Sequence, residues 1–147
     1  MTYEHTQYGY WGAGTIVFVL IMGAITLPEA FDDSTLAGWA VTASLVALAG
    51  ITVWFSWLKV RIEDTTLTAA FGPGRPRRII DLSAVVTATP VRNKWIQGWG
   101  IRKISGGWMY NVWGLDAIEF TMASGDLVRI GTDDQDNLLA SVHVFTG

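Results

Sequence analysis

The chain has 147 residues, 50% of them apolar, with no cysteine and a formal net charge of −3. Without cysteine there is no disulfide scaffold, zinc ribbon or thiol nucleophile, and a net-negative chain lacking a dense basic stripe is ill-suited to DNA or RNA, where phosphate neutralisation dominates binding. The charge is unevenly placed, since all ten Lys and Arg residues fall at or after Lys59 while the first 58 residues carry only Glu4, Glu29, Asp32 and Asp33.

Between His5 and Glu29 lie 23 residues without charge, and between Asp33 and Lys59 lie 25 more. At about 1.5 Å per residue, either run exceeds the roughly 20 residues that cross a hydrocarbon core of about 30 Å. Neither run has the polar face of a soluble core helix. The sequence therefore predicts two membrane-spanning helices, about 8–28 and 36–58, forming a hairpin domain over residues 1–58.

Tyr8, Tyr10 and Trp11 at the start of the first span, and Trp54, Phe55 and Trp57 closing the second, suit the aromatic belt of one membrane face. The stretch from Pro28 to Asp33 is expected to be a short acidic connector. Lys59 and Arg61 directly follow the second span, so the positive-inside rule places both termini in the cytoplasm and the protein in the inner membrane of a bacterial-type cell. Ala40 with Ser44 and Ala43 with Ala47, together with Gly12, Gly14 and Gly23, are expected to hold the hairpin together, and the same motif serves self-association. No ionisable residue lies inside either span, which argues against a transporter or channel.

From Lys59 to residue 147 a second domain is expected, because the period changes to two. Val60 and Ile62 alternate with Lys59, Arg61 and Glu63, a turn follows at Asp64-Thr65-Thr66, and Leu67 to Phe71 returns as a strand. Gly72-Pro73-Gly74-Arg75-Pro76 is a loop, and Arg78 to Val86 is strand-like until Pro90 ends or bends it. Trp99 to Ile104 is a short strand, Gly106-Gly107 a break, and Trp108 to Trp113 an aromatic strand. Ile118, Phe120 and Met122 pair across a Ser124-Gly125-Asp126 tip with Val128 and Ile130, around an exposed Arg129. Thr132 and Gln135 fit a capping box, and Asp133, Asp134 and Asp136 suit the first turn of a terminal helix with Leu138, Leu139 and Val142 on its apolar stripe.

The pieces Val60-Arg61-Ile62 with Leu67 and Gly72, Arg78-Ile79-Ile80-Asp81-Leu82 leading to Val85, Gly98-Trp99-Gly100-Ile101-Arg102, and Gly125 to Thr132 before the helix occur in an order that resembles the bacterial pleckstrin-homology-like (PH-like) domain family. The resemblance spans most of residues 58–143. It implies a partly open β-barrel of about seven antiparallel strands plugged by the C-terminal helix, and a binding module for lipid headgroups or protein segments. The expected fold class is thus a membrane α-hairpin plus a mainly-β domain.

Lys59, Arg61, Arg75, Arg77 and Arg78 form the candidate lipid-headgroup cluster, each basic group near an anionic leaflet contributing about 1 kcal/mol. They serve equally as topology determinants. Trp95, Trp99, Trp108, Tyr110 and Trp113 are either a partner surface or core filling. The acidic cluster lacks the glycine and distal glutamate of a calcium loop, and His5 and His143 have no catalytic neighbours, so no metal, cofactor or enzymatic activity is expected. The expected function is a membrane-anchored interaction module with a protein partner and no nucleic acid. The alternatives are a structural subunit associating laterally through its hairpin and anionic-headgroup binding by the basic loop.

Overall fold

The computed structural model describes residues 2–146; residue 1 of the expected hairpin domain and residue 147 of the expected second domain lie outside the described residues. Tyr3–Tyr8 forms a strand, β1, that the charge pattern does not reveal. Helices α1 (Trp11–Asp33) and α2 (Thr35–Trp54) follow, and then strand β2 (Trp57–Glu63). β1 and β2 pair antiparallel from Tyr3↔Ile62 to Tyr8↔Trp57. The helical hairpin is therefore an insertion at the tip of a two-stranded ribbon. Its second helix ends at Trp54, short of residue 58, because Trp57 and the fully buried Leu58 already belong to β2.

Both helices are long and apolar enough to cross a membrane. The expected acidic connector is absent, since α1 continues through Pro28 to Asp33 and only Ser34 separates the helices. Ser34 makes the reversal by capping α2, its hydroxyl accepting from the Ala37 N–H at 3.0 Å. That one-residue turn sets the phase of α2. Gly12, Val19 and Gly23 are the buried residues of α1 and Gly38 and Thr52 those of α2, with Gly12 against Thr52 and Ser56, Gly23 against Leu45 and Gly38 under Phe31, whereas Ala40, Ala43, Ser44 and Ala47 point outward, as does Gly14. The spacing-four residues expected to hold the hairpin together thus lie on its outer surface. Hydroxyls within the helices satisfy themselves on the preceding turn, as Thr26 does on the Met22 carbonyl and Thr52 on that of Leu48.

β3 (Thr66–Phe71) and β4 (Arg77–Asp81) complete an antiparallel sheet of order β1-β2-β3-β4. The run expected from Arg78 to Val86 is broken, because the Asp81 carboxylate accepts from both the N–H and the hydroxyl of Ser83 and stabilises a 3-10 turn over Leu82–Ala84. The chain then crosses to a second sheet built of β5 (Val85–Arg92), β6 (Gly100–Ile104), β7 (Gly107–Asn111), β8 (Asp116–Met122) and β9 (Leu127–Gly131). Pro90 neither ends nor leaves β5. It pairs with Ile118 and is tolerated because β5 is an edge strand in the order β5-β8-β9-β7-β6.

The described residues hold nine strands in two sheets and no closed barrel, in place of seven antiparallel strands. One pair, β7 with β9, is parallel. Gly107 permits it, since a Cβ there would overlap the Leu127 backbone. The core lies between the sheets, with Leu58, Val60, Ile62, Leu67, Phe71 and Ile80 on one side and Ile118, Phe120, Val128 and Ile130 on the other. Helix α3 (Gln135–Thr146) closes it with Leu138 and Val142.

Two expected surface features are corrected. The capping box does not form: Thr132 accepts from the Asp134 N–H at 3.0 Å, while the Gln135 amide donates to the carbonyls of Val91 and Ala117. Gln135 thereby ties the helix start to β5 and β8. Arg129 is not exposed, its side chain being 17% accessible and bonded to Glu119 and Asn93.

Candidate functional site

The junction between hairpin and domain is closed by hydrogen bonds from both chain directions. Gly9 N–H donates to the Ser56 carbonyl at 2.6 Å and prolongs the β1–β2 ladder toward the helices. The Gln7 amide donates to the Trp113 carbonyl at 3.0 Å, and the Trp11 indole to that of Val112 at 3.1 Å. At the far end of β1, Tyr3 donates to Asp134 at 3.1 Å and His5 Nε2 lies 2.6 Å from Asp133. Burial, reinforced by the Asp134 carboxylate, raises the Tyr3 phenol well above its ordinary value. Asp133 and Asp134 thus hold the N-terminal strand against the start of α3.

The five basic candidates do not converge. Lys59 and Arg61 lie on the outer face of β2, paired with Glu4 and Glu63. The Lys59 ammonium, hydrogen-bonded to Glu4, holds that carboxyl below the ordinary carboxylate range. Arg75, on the loop beside the end of α2, and Arg77, at the start of β4, are exposed; the Trp54 indole donates to the Arg75 carbonyl, and with Trp54, Phe55 and Pro76 the two arginines line a hollow of about 550 Å³. Neither has an ion-pair partner among the described residues. Arg78 points the other way, into an inter-sheet groove of about 520 Å³ shared with Lys103, Trp108 and Asp126, and its Nε is buried without a hydrogen-bond partner in the protein.

The aromatic candidates divide similarly. Trp113 packs against the core and stacks on Trp99 at a centroid distance of 5.0 Å, with Tyr10 edge-on to it at 6.0 Å. Tyr110 also packs against the core. Trp108 is partly exposed in the inter-sheet groove, and Trp95 is fully presented to the outside on a 3-10 turn. Tyr110 and Trp113 are therefore core filling, whereas Trp95 and Trp108 are exposed.

A third hollow, of about 560 Å³, lies between the hairpin and β6, lined by Thr15, Leu48, Ile51 and Phe55 on one side and by Trp99, Gly100 and Arg102 on the other. Arg102 and Lys103 escape a reading based on basic clusters. A visible signal did exist: residues 85–115 contain Arg92, Lys94, Arg102 and Lys103 but no carboxylate. Among the described residues no group of three His, Cys, Asp or Glu is placed to hold a metal ion. No protein-family model matches the chain, and no curated protein matches it.

Proposed function

We propose that the protein is a non-enzymatic module anchored in the inner membrane, with both termini and the folded domain on the cytoplasmic face, where it holds a protein partner beside the bilayer. The observation that carries this reading is the junction: the hairpin grows out of paired β1 and β2 with no linker, so the domain has a fixed pose on its anchor. The inter-sheet groove supplies the contact surface. Arg78 and Lys103, against the single carboxylate of Asp126, favour an acidic segment, and Trp108 offers an aromatic anchor of the kind enriched at interfaces.

A photoreactive amino acid in place of Trp108, in the full chain in cells, tests the partner. The expected result is one light-dependent protein adduct that disappears in the double variant Arg78→Glu/Lys103→Glu; adducts unchanged by that variant would overturn the groove. Orientation is tested by impermeant thiol labelling of single cysteines, where Ser34→Cys should react from outside and Ser124→Cys should not.

The second reading, anionic-headgroup binding, is favoured by Arg75 and Arg77, two exposed cations without acidic partners beside Trp54. Native mass spectrometry of the full chain with phosphatidylglycerol should then show fewer retained lipids in Arg75→Ala/Arg77→Ala. Equal retention would remove this reading.

A further inference from the structure

The connection between β5 and β6 carries two large apolar side chains that nothing in the fold covers. Trp95 and Ile96 are each 81% exposed. The segment bearing them is built: it forms a 3-10 turn over Trp95–Gln97, with the Gln97 side chain accepting from the Lys94 N–H at 2.9 Å and Gly98 N–H donating to the Trp95 carbonyl at 3.0 Å. Its base is fixed as well, because buried Asn93 donates its N–H to the Leu115 carbonyl and accepts from Arg129.

The direction of this turn follows from what its return limb touches. Gly98 and Trp99 line the same hollow as Thr15 and Leu48. Trp11 and Phe55 line it too, and Trp99 stacks on Trp113, to which Tyr10 is edge-on, so the limb lies beside the ends of α1 and α2, with Thr15 and Leu48 roughly 6–9 Å further in at 1.5 Å per residue. On the reading that the hairpin spans the membrane, that level is the aromatic belt marked by Trp11 and Trp54, at the boundary of headgroup and acyl chain. The charges around the turn suit an anionic surface. Lys94, Arg102 and Lys103 have no ion-pair partner among the described residues, and no carboxylate occurs from Val85 to Leu115.

We propose that the Trp95–Gln97 turn is a second membrane anchor, inserted into the leaflet beside the hairpin, with Trp95 and Ile96 among the lipid chains and Lys94 and Arg102 on lipid phosphates. The occupant is the bilayer, and the surface is continuous with the lipid-facing surface of the spans. An aromatic and an aliphatic tip flanked by cations is the composition that partitions to the boundary of headgroup and acyl chain.

The Cys-free chain makes the test direct. Nitroxide is attached to single cysteines at Ile96, at Val46 on the outer face of α2, and at Ser124 on the β8–β9 tip, in the full protein reconstituted into phosphatidylethanolamine/phosphatidylglycerol vesicles. Collision with oxygen is compared with collision with a water-soluble nickel chelate. Ile96→Cys and Val46→Cys should favour oxygen by several-fold, and Ser124→Cys should favour the chelate. If Val46→Cys lies in lipid while Ile96→Cys behaves like Ser124→Cys, the anchor is overturned, the spanning reading stands, and a protein becomes the occupant of the turn. A chelate-accessible Val46→Cys would overturn the spanning reading and the anchor with it.

Discussion

Because the chain leaves and re-enters one antiparallel ladder, through Gly9 and Ser56, the whole helical hairpin is removable in principle. Replacing residues 10–55 by Asn-Gly, between the hydrogen-bonded pair Gly9 and Ser56, turns the junction into a two-residue β-hairpin of the favoured type. All of β1 is retained. A chain beginning at Lys59 instead loses β1 together with the fully buried Leu58. The difference is large: the Tyr3, His5 and Gln7 side-chain hydrogen bonds at about 1 kcal/mol each, plus burial of Leu58 and part of Tyr3 at about 1.5–3 kcal/mol each, come to about 6–9 kcal/mol. That approaches the entire stability of an ordinary domain, about 5–15 kcal/mol. It also leaves β2 as an open edge. Urea unfolding followed by tryptophan fluorescence, with gel filtration, should show a soluble, cooperatively folded Asn-Gly variant and an unfolded or aggregated Lys59 fragment. Equal stability of the two would refute the assignment of β1 to the domain.

Further tests probe the same junction and the hairpin. Tyr3→Phe should cost about 1–2 kcal/mol near pH 7 by removing the bond to Asp134. Since the folded-state pKa lies above the unfolded value near 10.0, the wild-type advantage is complete below that value and lost as pH rises through it, most of it by about pH 11, at up to about 1.4 kcal/mol per unit. Denaturation in micelles across pH 7–11 checks this, and a pH-independent gap between the two proteins would exclude Tyr3 as the titrating group. Gly23→Leu, on the buried face of α1, should destabilise the hairpin by about 1–3 kcal/mol through overpacking, while Ala43→Leu and Ala47→Leu on the outer face of α2 should stay within about 0.5 kcal/mol. Thermal melts of the detergent-solubilised proteins distinguish the faces, and a reversed order would contradict the helix phase.

What could be foreseen from the sequence followed from burial on one side. β2, β3, β8 and β9 were legible because residues such as Val60, Ile62, Phe120 and Ile130 alternate with polar or small neighbours, and both long apolar helices because uncharged runs underlie them. β1 was not legible: its partly or fully buried positions Tyr3, His5 and Gln7 are polar or aromatic, chosen for hydrogen bonds to Asp134, Asp133 and Trp113 rather than for apolar contact. The Thr132–Gln135 pattern satisfied a local rule that two tertiary carbonyls then overrode. The parallel pairing of β7 with β9 depends on a non-local approach that only the absence of a side chain at Gly107 hints at. The basic loop was visible as a cluster in sequence, yet strand alternation sends Arg77 and Arg78 to opposite faces, so one string of charge became two unrelated surfaces.

The charge boundary at Lys59 and the fold boundary answer different questions. Charge marks where an uncharged environment ends, whereas the domain begins at Tyr3, before the helices, because hydrogen bonding and not solvation defines a sheet. Paired strands lie about 4.8 Å apart and packed helices about 8–10 Å, so the chain must widen between them. Only Gly9 and Tyr10 on one side and Phe55 and Ser56 on the other are free to do so. Gly9 has the Trp11 indole and the Val112 carbonyl within 3 Å of where a Cβ would stand, and its N–H is bonded to Ser56. There is no slack at this point for the domain to swivel. The tilt of the hairpin is therefore passed directly to the first sheet, and an inserted Trp95–Gln97 turn would add a second point of contact on the side of the second sheet. With orientation set at two places, the Arg78–Lys103 groove would meet the proposed partner at one height above the bilayer, and changes at Gly9 should alter partner crosslinking at Trp108 without touching the groove itself.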